Sequence, residues 1–122
     1  RRYFTPKNSR VITITHQDIR DQRDIPIREI LYVEVHGRSC TVHTQTATIE
    51  ASMTLSALEA LLPQDQFVKP IRYCLVALRY IRHVEQTELE LENGVRLPFS
   101  RGERDNLRQI LSAYRLRQLR GR

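Results

Sequence analysis

The residues best suited to bind another molecule lie between Phe67 and Ile81, where cations and an aromatic ring are interspersed with apolar side chains. The polar candidates in this stretch are Lys69, Arg72, Tyr73 and Arg79. Lysine and arginine bind phosphate, and arginine also donates two hydrogen bonds to guanine O6 and N7, so the pattern is typical of a nucleic-acid interface. The alternative is a core strand with a solvated basic face, because charged side chains are usually exposed.

Two further polar clusters fall at predicted connections between strands. His36 and Arg38 flank a glycine in the first hairpin, and Ser100 and Arg101 follow the last strand. Side chains of these types contact phosphates or base edges. No predicted helix has an obvious recognition face, so we expect loops to be the reading elements, brought together along one edge of a strand-rich fold.

Catalytic and metal-binding chemistry has little support in the sequence. His36, Cys40 and His43 have the spacing H-x3-C-x2-H, but on a strand Cys40 and His43 point to opposite faces, which makes a poor zinc site. The chain has no Gly-rich phosphate loop, no HExxH and no GxSxG. Cys40 and Cys74 occupy core-like positions, where thiols are usually inert. We therefore predict no enzyme activity, no metal and no cofactor.

Size and charge indicate one domain with a defined basic edge. The chain has 122 residues and a net charge of +6; the first 23 residues carry +4 and the last 22 carry +5, which leaves −3 for the body. A slightly acidic body with basic ends favours a docking edge over uniform coating of nucleic acid, although terminal arginines can also serve solubility alone.

Three sequence features bear on the cellular location of the protein: apolar runs, targeting signals and cysteine content. No apolar run is long enough for insertion into a lipid bilayer, and no secretory signal is visible. Two cysteines fit a reducing cytoplasm better than a disulfide scaffold. Since the chain begins at Arg1 without Met, the sequence leaves open whether other domains precede it.

Alternation of apolar residues predicts strands over 11–16, 31–36, 39–44 and 46–51, of which the last three form a meander. In the second of these, Leu31, Val33 and Val35 are expected to point inward and Tyr32, Glu34 and His36 outward. Residues 17–24 are expected to be a loop, 25–27 a short edge strand and 28–30 a tight turn. A helix is predicted over 54–62, with Thr54 as its N-cap.

The second half of the chain predicts another strand over 80–86 and a hairpin over 88–99. Its Asn93-Gly94 turn is typical of type I′. Ser100 is expected to cap a final helix with a packing face of Leu107, Ile110, Leu111 and Tyr114. The predicted organisation is a linker or tail over 1–10, a domain over 11–114 and a basic, frayed tail over 115–122.

The order of several motifs is characteristic when they are taken together. They are ILYVEVH at 30–36, SALE at 56–59, FVKPIRYCLV at 67–76, NG at 93–94 and LPFSR at 97–101. This ordered set resembles the LytTR DNA-binding domain family over about residues 11–112. The resemblance implies a mostly β fold: an elongated stack of small antiparallel sheets with one short internal helix and a C-terminal helix.

The resemblance also implies a function and a set of contacts. Members of the family are usually output domains of bacterial response regulators in two-component systems, which implies a receiver domain outside this chain. They place loops in successive major grooves of double-stranded DNA, commonly as two copies on a repeated site. The matching DNA-binding positions are His36 with Arg38, then Lys69, Arg72 and Tyr73, then Ser100 and Arg101.

Three positions depart from the family pattern. Ile71 stands where the family usually has His, Ala77 where it usually has Asn, and Tyr73 where Ser is common. We predict a sequence-specific, double-stranded DNA-binding domain of a bacterial transcriptional regulator in the cytoplasm. The departures and the acidic body favour an alternative interpretation, in which the chain is a protein-interaction module that has this fold but has lost specific DNA binding. A third interpretation is single-stranded DNA or RNA binding, with Tyr32 and Tyr73 as stacking platforms.

Overall fold

The computed structural model describes residues 10–15 and 22–121. They form several small antiparallel sheets and two α-helices, which confirms the mostly β fold class. The chain divides into an N-terminal unit, Arg1–Leu62, and a C-terminal unit, Pro63–Arg122. The predicted tail over 1–10 lies outside the described residues except for its last position.

The N-terminal unit opens with an antiparallel ladder of β1 (Val11–Thr15) and β2 (Gln22–Pro26). Its buried residues are Ile12, Ile14 and Ile25. The loop predicted over 17–24 is wrong at its end, because β2 already begins at Gln22. The first three residues of β2 are polar and exposed, so no apolar alternation marks them as a strand. Residues 16–21, which include the end of the predicted first strand, lie outside the described part.

A three-stranded antiparallel meander follows, as predicted. Its strands are β3 (Ile30–His36), β4 (Ser39–Thr44) and β5 (Thr48–Ala51), and a 3-10 turn over Ile27–Glu29 leads into them. The apolar side chains at its centre are Leu31, Val33, Cys40, Val42, Ile49 and Ala51, all nearly inaccessible to solvent. These side chains form the core of the N-terminal unit.

Two residues of β3 differ in burial from the predicted alternation. Tyr32, expected to point outward, is only 9% exposed, and Val35, expected inward, is 39% exposed. The register between β3 and β4 is regular from Tyr32 to His36, so Val35 lies on the same side as Val33, but it is the second-last residue of the strand, beside the exposed turn. The Tyr32 ring also stacks on the His43 ring, with 4.1 Å between the centroids, so the imidazole covers it.

The predicted internal helix is α1 (Leu55–Leu61), and it packs against β3. Thr54 caps it, because its Oγ1 accepts a hydrogen bond from the Ala57 amide at 3.1 Å. Leu55 and Leu58 are buried, whereas Leu61 is 42% exposed, so the helix packs mainly through its first half.

We expect Thr54→Ala to lower the free energy of unfolding by about 1 kcal/mol, because it leaves a helix N–H without its side-chain acceptor. Chemical denaturation followed by circular dichroism measures the change. Ser56→Ala is the matched control, since it removes an exposed hydroxyl from the same helix and alanine is the better helix former. Equal losses in the two variants would contradict the capping role of Thr54.

The C-terminal unit begins with a hairpin of β6 (Phe67–Ile71) and β7 (Cys74–Ala77). All four residues of β7 are buried, and a 3-10 turn over Leu78–Tyr80 follows. The connection between the strands is Arg72-Tyr73, which lacks the Gly, Asn or Pro that usually marks a hairpin. The stretch is therefore core at both ends and a solvent-exposed loop at its centre.

A three-stranded antiparallel sheet comes next, formed by β8 (Ile81–Val84), β9 (Glu88–Leu91) and β10 (Arg96–Pro98). Its buried side chains are Ile81, Leu89, Leu91 and Leu97. The predicted strand after residue 80 and the predicted hairpin are both confirmed. The glutamates of β9 occupy the more exposed positions that alternate with its leucines.

The turn of this hairpin is not the predicted type I′. That turn needs a positive φ at both central residues, but in the connection only Gly94 has one, at 91°. The Gly94 amide donates to the Leu91 carbonyl and the Leu91 amide donates to the Val95 carbonyl, both at 2.9 Å. Leu91 and Val95 are therefore the last bonded pair, and the three residues 92–94 connect them, with glycine in the left-handed conformation. Asn93 Oδ1 accepts from the Val95 amide.

The last element is α2 (Arg104–Arg120), which packs on β8. Leu107, Leu111 and Tyr114 are buried and Ile110 is half-buried, which confirms the predicted packing face. Among the described residues, no helix has the length and apolar character needed to cross a membrane.

The fraying predicted from Arg115 onward is wrong, because α2 continues to Arg120. The Arg115 guanidinium donates to the carbonyl groups of Ile81 and Arg82 at 3.1 and 3.2 Å. The Arg117 guanidinium donates to the Asp65 carbonyl at 2.8 Å. These arginines fasten the helix end to the rest of the unit, a role that composition alone does not reveal.

Candidate nucleic-acid interface

The first predicted contact point is the turn between β3 and β4. His36 pairs with Ser39 across the ladder, so Gly37 and Arg38 form a two-residue connection. Gly37 has a φ of 65°, which glycine adopts without steric cost. The Ser39 hydroxyl donates to the His36 carbonyl at 3.1 Å and braces the turn. The side chains of His36 and Arg38 are exposed on either side of the glycine.

We expect Gly37→Ala to lower the free energy of unfolding by about 1–2 kcal/mol, because alanine is strained in the left-handed conformation. A Cβ at this position meets no atom within 4 Å, so the cost is conformational rather than steric. Gly37→Asn should recover part of the loss, since asparagine tolerates this conformation. Urea denaturation of the two variants measures their free energies of unfolding. Equal losses of stability would contradict the conformational explanation.

The second predicted contact point is the tip of the β6–β7 hairpin. Ile71 pairs with Cys74, so Arg72 and Tyr73 occupy the two positions of the turn. Arg72 is exposed, and Tyr73 is 46% exposed. Pro70 and Cys74 are buried at the base of the hairpin. A fixed base thus presents one guanidinium group and one phenol to solvent.

The third predicted contact point lies beside the second. The Ser100 amide donates to the Pro70 carbonyl at 3.0 Å, which joins the segment after β10 to the end of β6. Ser100 is half-buried, whereas Arg101 and Lys69 are exposed. The structure therefore brings the second and third contact points together in the C-terminal unit, while the first belongs to the N-terminal unit.

Ser100 does not cap α2, contrary to the sequence-based expectation. The helix begins at Arg104, and Glu103 occupies the N-cap position without a capping hydrogen bond from its side chain. The Ser100 carbonyl instead accepts from the Glu103 amide at 3.1 Å. Gly102, with a φ of 87°, lets the chain turn before the helix begins. Ser100 thus shapes the loop rather than the helix.

Three guanidinium groups at these contact points are available to a ligand. Among the described residues, Arg38, Arg72 and Arg101 take part in no hydrogen bond and no ion pair. Arg82 and Arg96, by contrast, pair with glutamates. An arginine without a partner can bind a phosphate or a base edge without first breaking a contact within the protein.

The departures from the family pattern have different structural settings. Ala77 is 2% exposed, so its departure concerns core packing rather than a contact with a ligand. Ile71 is half-buried and directly precedes Arg72. Tyr73 keeps a hydroxyl group where serine is common, and adds an exposed ring. Of the three departures, only Ile71 puts an apolar side chain directly beside Arg72 where the family pattern has a hydrogen-bonding one.

The histidine, cysteine and tyrosine side chains outside these contact points do not form a reactive site. His43 Nε2 lies 2.6 Å from Glu34 Oε2, and its ring stacks on Tyr32, so Tyr32 is covered and offers no stacking platform to a base. Burial raises the pKa of the Cys40 thiol, and the nearby charge of Glu50 raises it further, which disfavours the thiolate. No group of three His, Cys, Asp or Glu residues in the described ranges could hold a metal ion.

Sequence reasoning missed one basic cluster, formed by Arg82, Arg108 and Arg115. The first lies on β8 and the other two on α2, so only the packing of the helix on the strand brings them together. The high arginine content of the last 22 residues was the available signal, but it does not show where these side chains converge.

Comparison with known proteins shows which family and which fold this chain resembles. The model of the LytTr DNA-binding domain family matches residues 21–112. Among solved structures, the chain is similar to the LytTr DNA-binding domain of a protein described as a methyl-accepting/DNA response regulator from Bacillus cereus. The TM-score is 0.69 and the identity 25%, over 83% of this chain and 95% of that chain. A search of curated protein sequences finds no match.

Proposed function

Because this chain belongs to the LytTR family of DNA-binding domains, we propose that it recognises a specific sequence in double-stranded DNA as part of a bacterial transcriptional regulator. The recognising elements are loops, which enter the major groove. In this proposal the DNA-binding domain begins at residue 11 and extends past the predicted boundary at 114, because α2 continues to Arg120. The protein acts in the cytoplasm, where the chromosome is. A receiver domain elsewhere in the regulator controls it, and two copies bind a repeated site.

The observation that carries the proposal is the joined pair of loops in the C-terminal unit. Arg72 and Arg101 are exposed and have no partner among the described residues, and the bond from the Ser100 amide to the Pro70 carbonyl holds their loops side by side. Because the backbone of the two loops is already held in one arrangement, only the two arginine side chains have to become ordered on binding, which favours recognition of a fixed ligand shape.

The proposed roles follow from side-chain chemistry. Arg72 reads guanine O6 and N7 bidentately, and the Tyr73 hydroxyl contacts an adjacent base or phosphate. Lys69, Arg101 and Ser100 position the sugar-phosphate backbone. His36 and Arg38 supply the first contact point, in which the imidazole bonds a base edge and the guanidinium a phosphate.

Selection from a random duplex library, followed by titration of the best site at two salt concentrations, tests this function. We expect an enriched, repeated motif, with a binding constant that falls steeply with salt because bound cations release counterions from DNA. Single strands of the same sequence should compete poorly, which separates duplex recognition from single-strand binding. Absence of an enriched motif would overturn sequence-specific recognition.

The second candidate function is a protein-interaction module with this fold. Ile71 favours it, because an apolar, half-buried side chain directly precedes Arg72 and cannot hydrogen-bond to a base. A module of this kind would bind duplexes weakly and without sequence preference. If Ile71→His creates an enriched motif that the parent chain lacks, this candidate function is favoured for the parent.

A further inference from the structure

We propose that a basic cleft between β8 and α2 is a phosphate-binding site, distinct from the loops that carry Arg72 and Arg101. The cleft has a volume of about 250 Å³. Its polar lining consists of Arg82, His83, Arg108, Ser112 and Arg115, and none of the described residues that line it is acidic.

The helix contributes one continuous polar face to the cleft. Arg108, Ser112 and Arg115 have the spacing i, i+4, i+7, which places their side chains along the same side of α2. Arg108 is exposed and makes no hydrogen bond or ion pair within the part of the chain that the structure describes. Its guanidinium group is therefore available to a ligand that enters between the helix and the strand.

The other two arginines are held in place by the protein. One terminal nitrogen of Arg115 donates to the carbonyl groups of Ile81 and Arg82. One terminal nitrogen of Arg82 donates to the carbonyl and the carboxylate of Glu92. A guanidinium has five N–H groups, so both arginines keep donors for a further acceptor. Because they are already ordered, binding costs less conformational entropy.

The combination favours phosphate over other ligands. Planar guanidinium groups match the oxygens of a phosphate bidentately, and a hydroxyl such as that of Ser112 adds a further donor. Arg82 is paired with the Glu92 carboxylate. Arg108 and Arg115, by contrast, make no ion pair among the described residues, so the helix side of the cleft attracts an anion. The volume is below the roughly 300–1,000 Å³ of small-molecule sites, so the cleft fits a phosphate group and its immediate surroundings rather than a whole cofactor.

The direct test uses the full 122-residue chain without DNA. Pyrophosphate is titrated at constant ionic strength, with chloride as the balancing anion, and backbone amide signals are followed by NMR. We expect saturable shifts in β8 and around residues 108–115. Arg108→Gln should weaken pyrophosphate binding about tenfold, as expected for the loss of a charge-assisted hydrogen bond.

Arg120→Gln is the matched control, because it removes the same charge from an exposed position of the same helix outside the cleft. Its affinity for pyrophosphate should stay within about twofold of the parent, as is usual for an exposed charge. Equal weakening by Arg108→Gln and Arg120→Gln would overturn the proposal. So would the absence of saturable shifts in the cleft, or a response to a glutamate peptide and not to pyrophosphate.

A second arm identifies the source of the phosphate. If the backbone of bound DNA fills the cleft, Arg108→Gln should weaken a random duplex and reduce the salt slope by about one. If a free phosphorylated molecule fills it, Arg108→Gln should leave duplex affinity unchanged and pyrophosphate should not displace the duplex. Failure to find an enriched DNA motif would leave the pyrophosphate titration intact, so this proposal and the proposed function fail independently.

Discussion

Replacement of Arg72 by alanine is expected to weaken binding of the selected duplex by about 1–3 kcal/mol, which is roughly 5- to 150-fold in affinity. The side chain occupies the tip of the β6–β7 hairpin, and no group among the described residues bonds to it. Its removal therefore subtracts a contact with DNA and leaves the fold in place. Fluorescence anisotropy with the selected duplex and a scrambled duplex measures the loss, which should be much larger for the selected one.

Arg79→Ala is the matched control for this experiment. Arg79 is exposed and belongs to the same unit, but it lies over the Tyr80 ring, outside the predicted loops. If the two variants lose the same affinity, the basic residues of this region act only as a solvated charged face. An Arg72→Ala variant that unfolds would also refute the assigned role, because an exposed turn residue should not support the core.

Leu91→Ala is expected to lower the free energy of unfolding by about 2–5 kcal/mol, the largest effect on stability that we predict. Leu91 is fully buried in β9, opposite Ile81 of β8. Truncation removes buried methyl groups and leaves a cavity in the sheet that supports α2. Urea denaturation, followed by circular dichroism, gives the difference from the parent.

Leu119→Ala controls for the loss of the same atoms at the surface. Leu119 is 66% exposed on α2, so its truncation should change stability by less than about 0.5 kcal/mol. If the two leucine variants are equally stable, β9 does not form the core that the structure assigns to it.

Local signals predicted those elements in which apolar periodicity and turn chemistry agree. The meander and α2 follow from alternation and from the helical spacing of Leu107, Leu111 and Tyr114. Prediction failed where tertiary contacts override local preference. The stacked His43 ring covers Tyr32, and the carbonyl groups of β8 anchor Arg115, which extends the helix beyond its expected end.

The candidate site was predictable only in part, for the same reason. Its residue types and the exposure of Arg72 and Arg101 could be expected from the sequence. The hairpin that displays Arg72 could not, because Arg-Tyr is an unusual connection between strands. Nor could the pairing of Ser100 with Pro70, which lie 30 residues apart and meet through their backbone atoms. Side-chain patterns carry no information about such a bond.

That backbone bond limits how binding preference can be transferred between relatives. Since the Ser100 amide donates to the Pro70 carbonyl, the two loops share one geometry, and neither is an independent module. A chimaera that receives only the Arg72 loop from another family member would combine it with the original Ser100 segment, which was not selected to hold that loop. Grafts intended to exchange target preference should carry both segments together, whereas the Gly37 turn, closed by its own ladder, can be exchanged as a single piece.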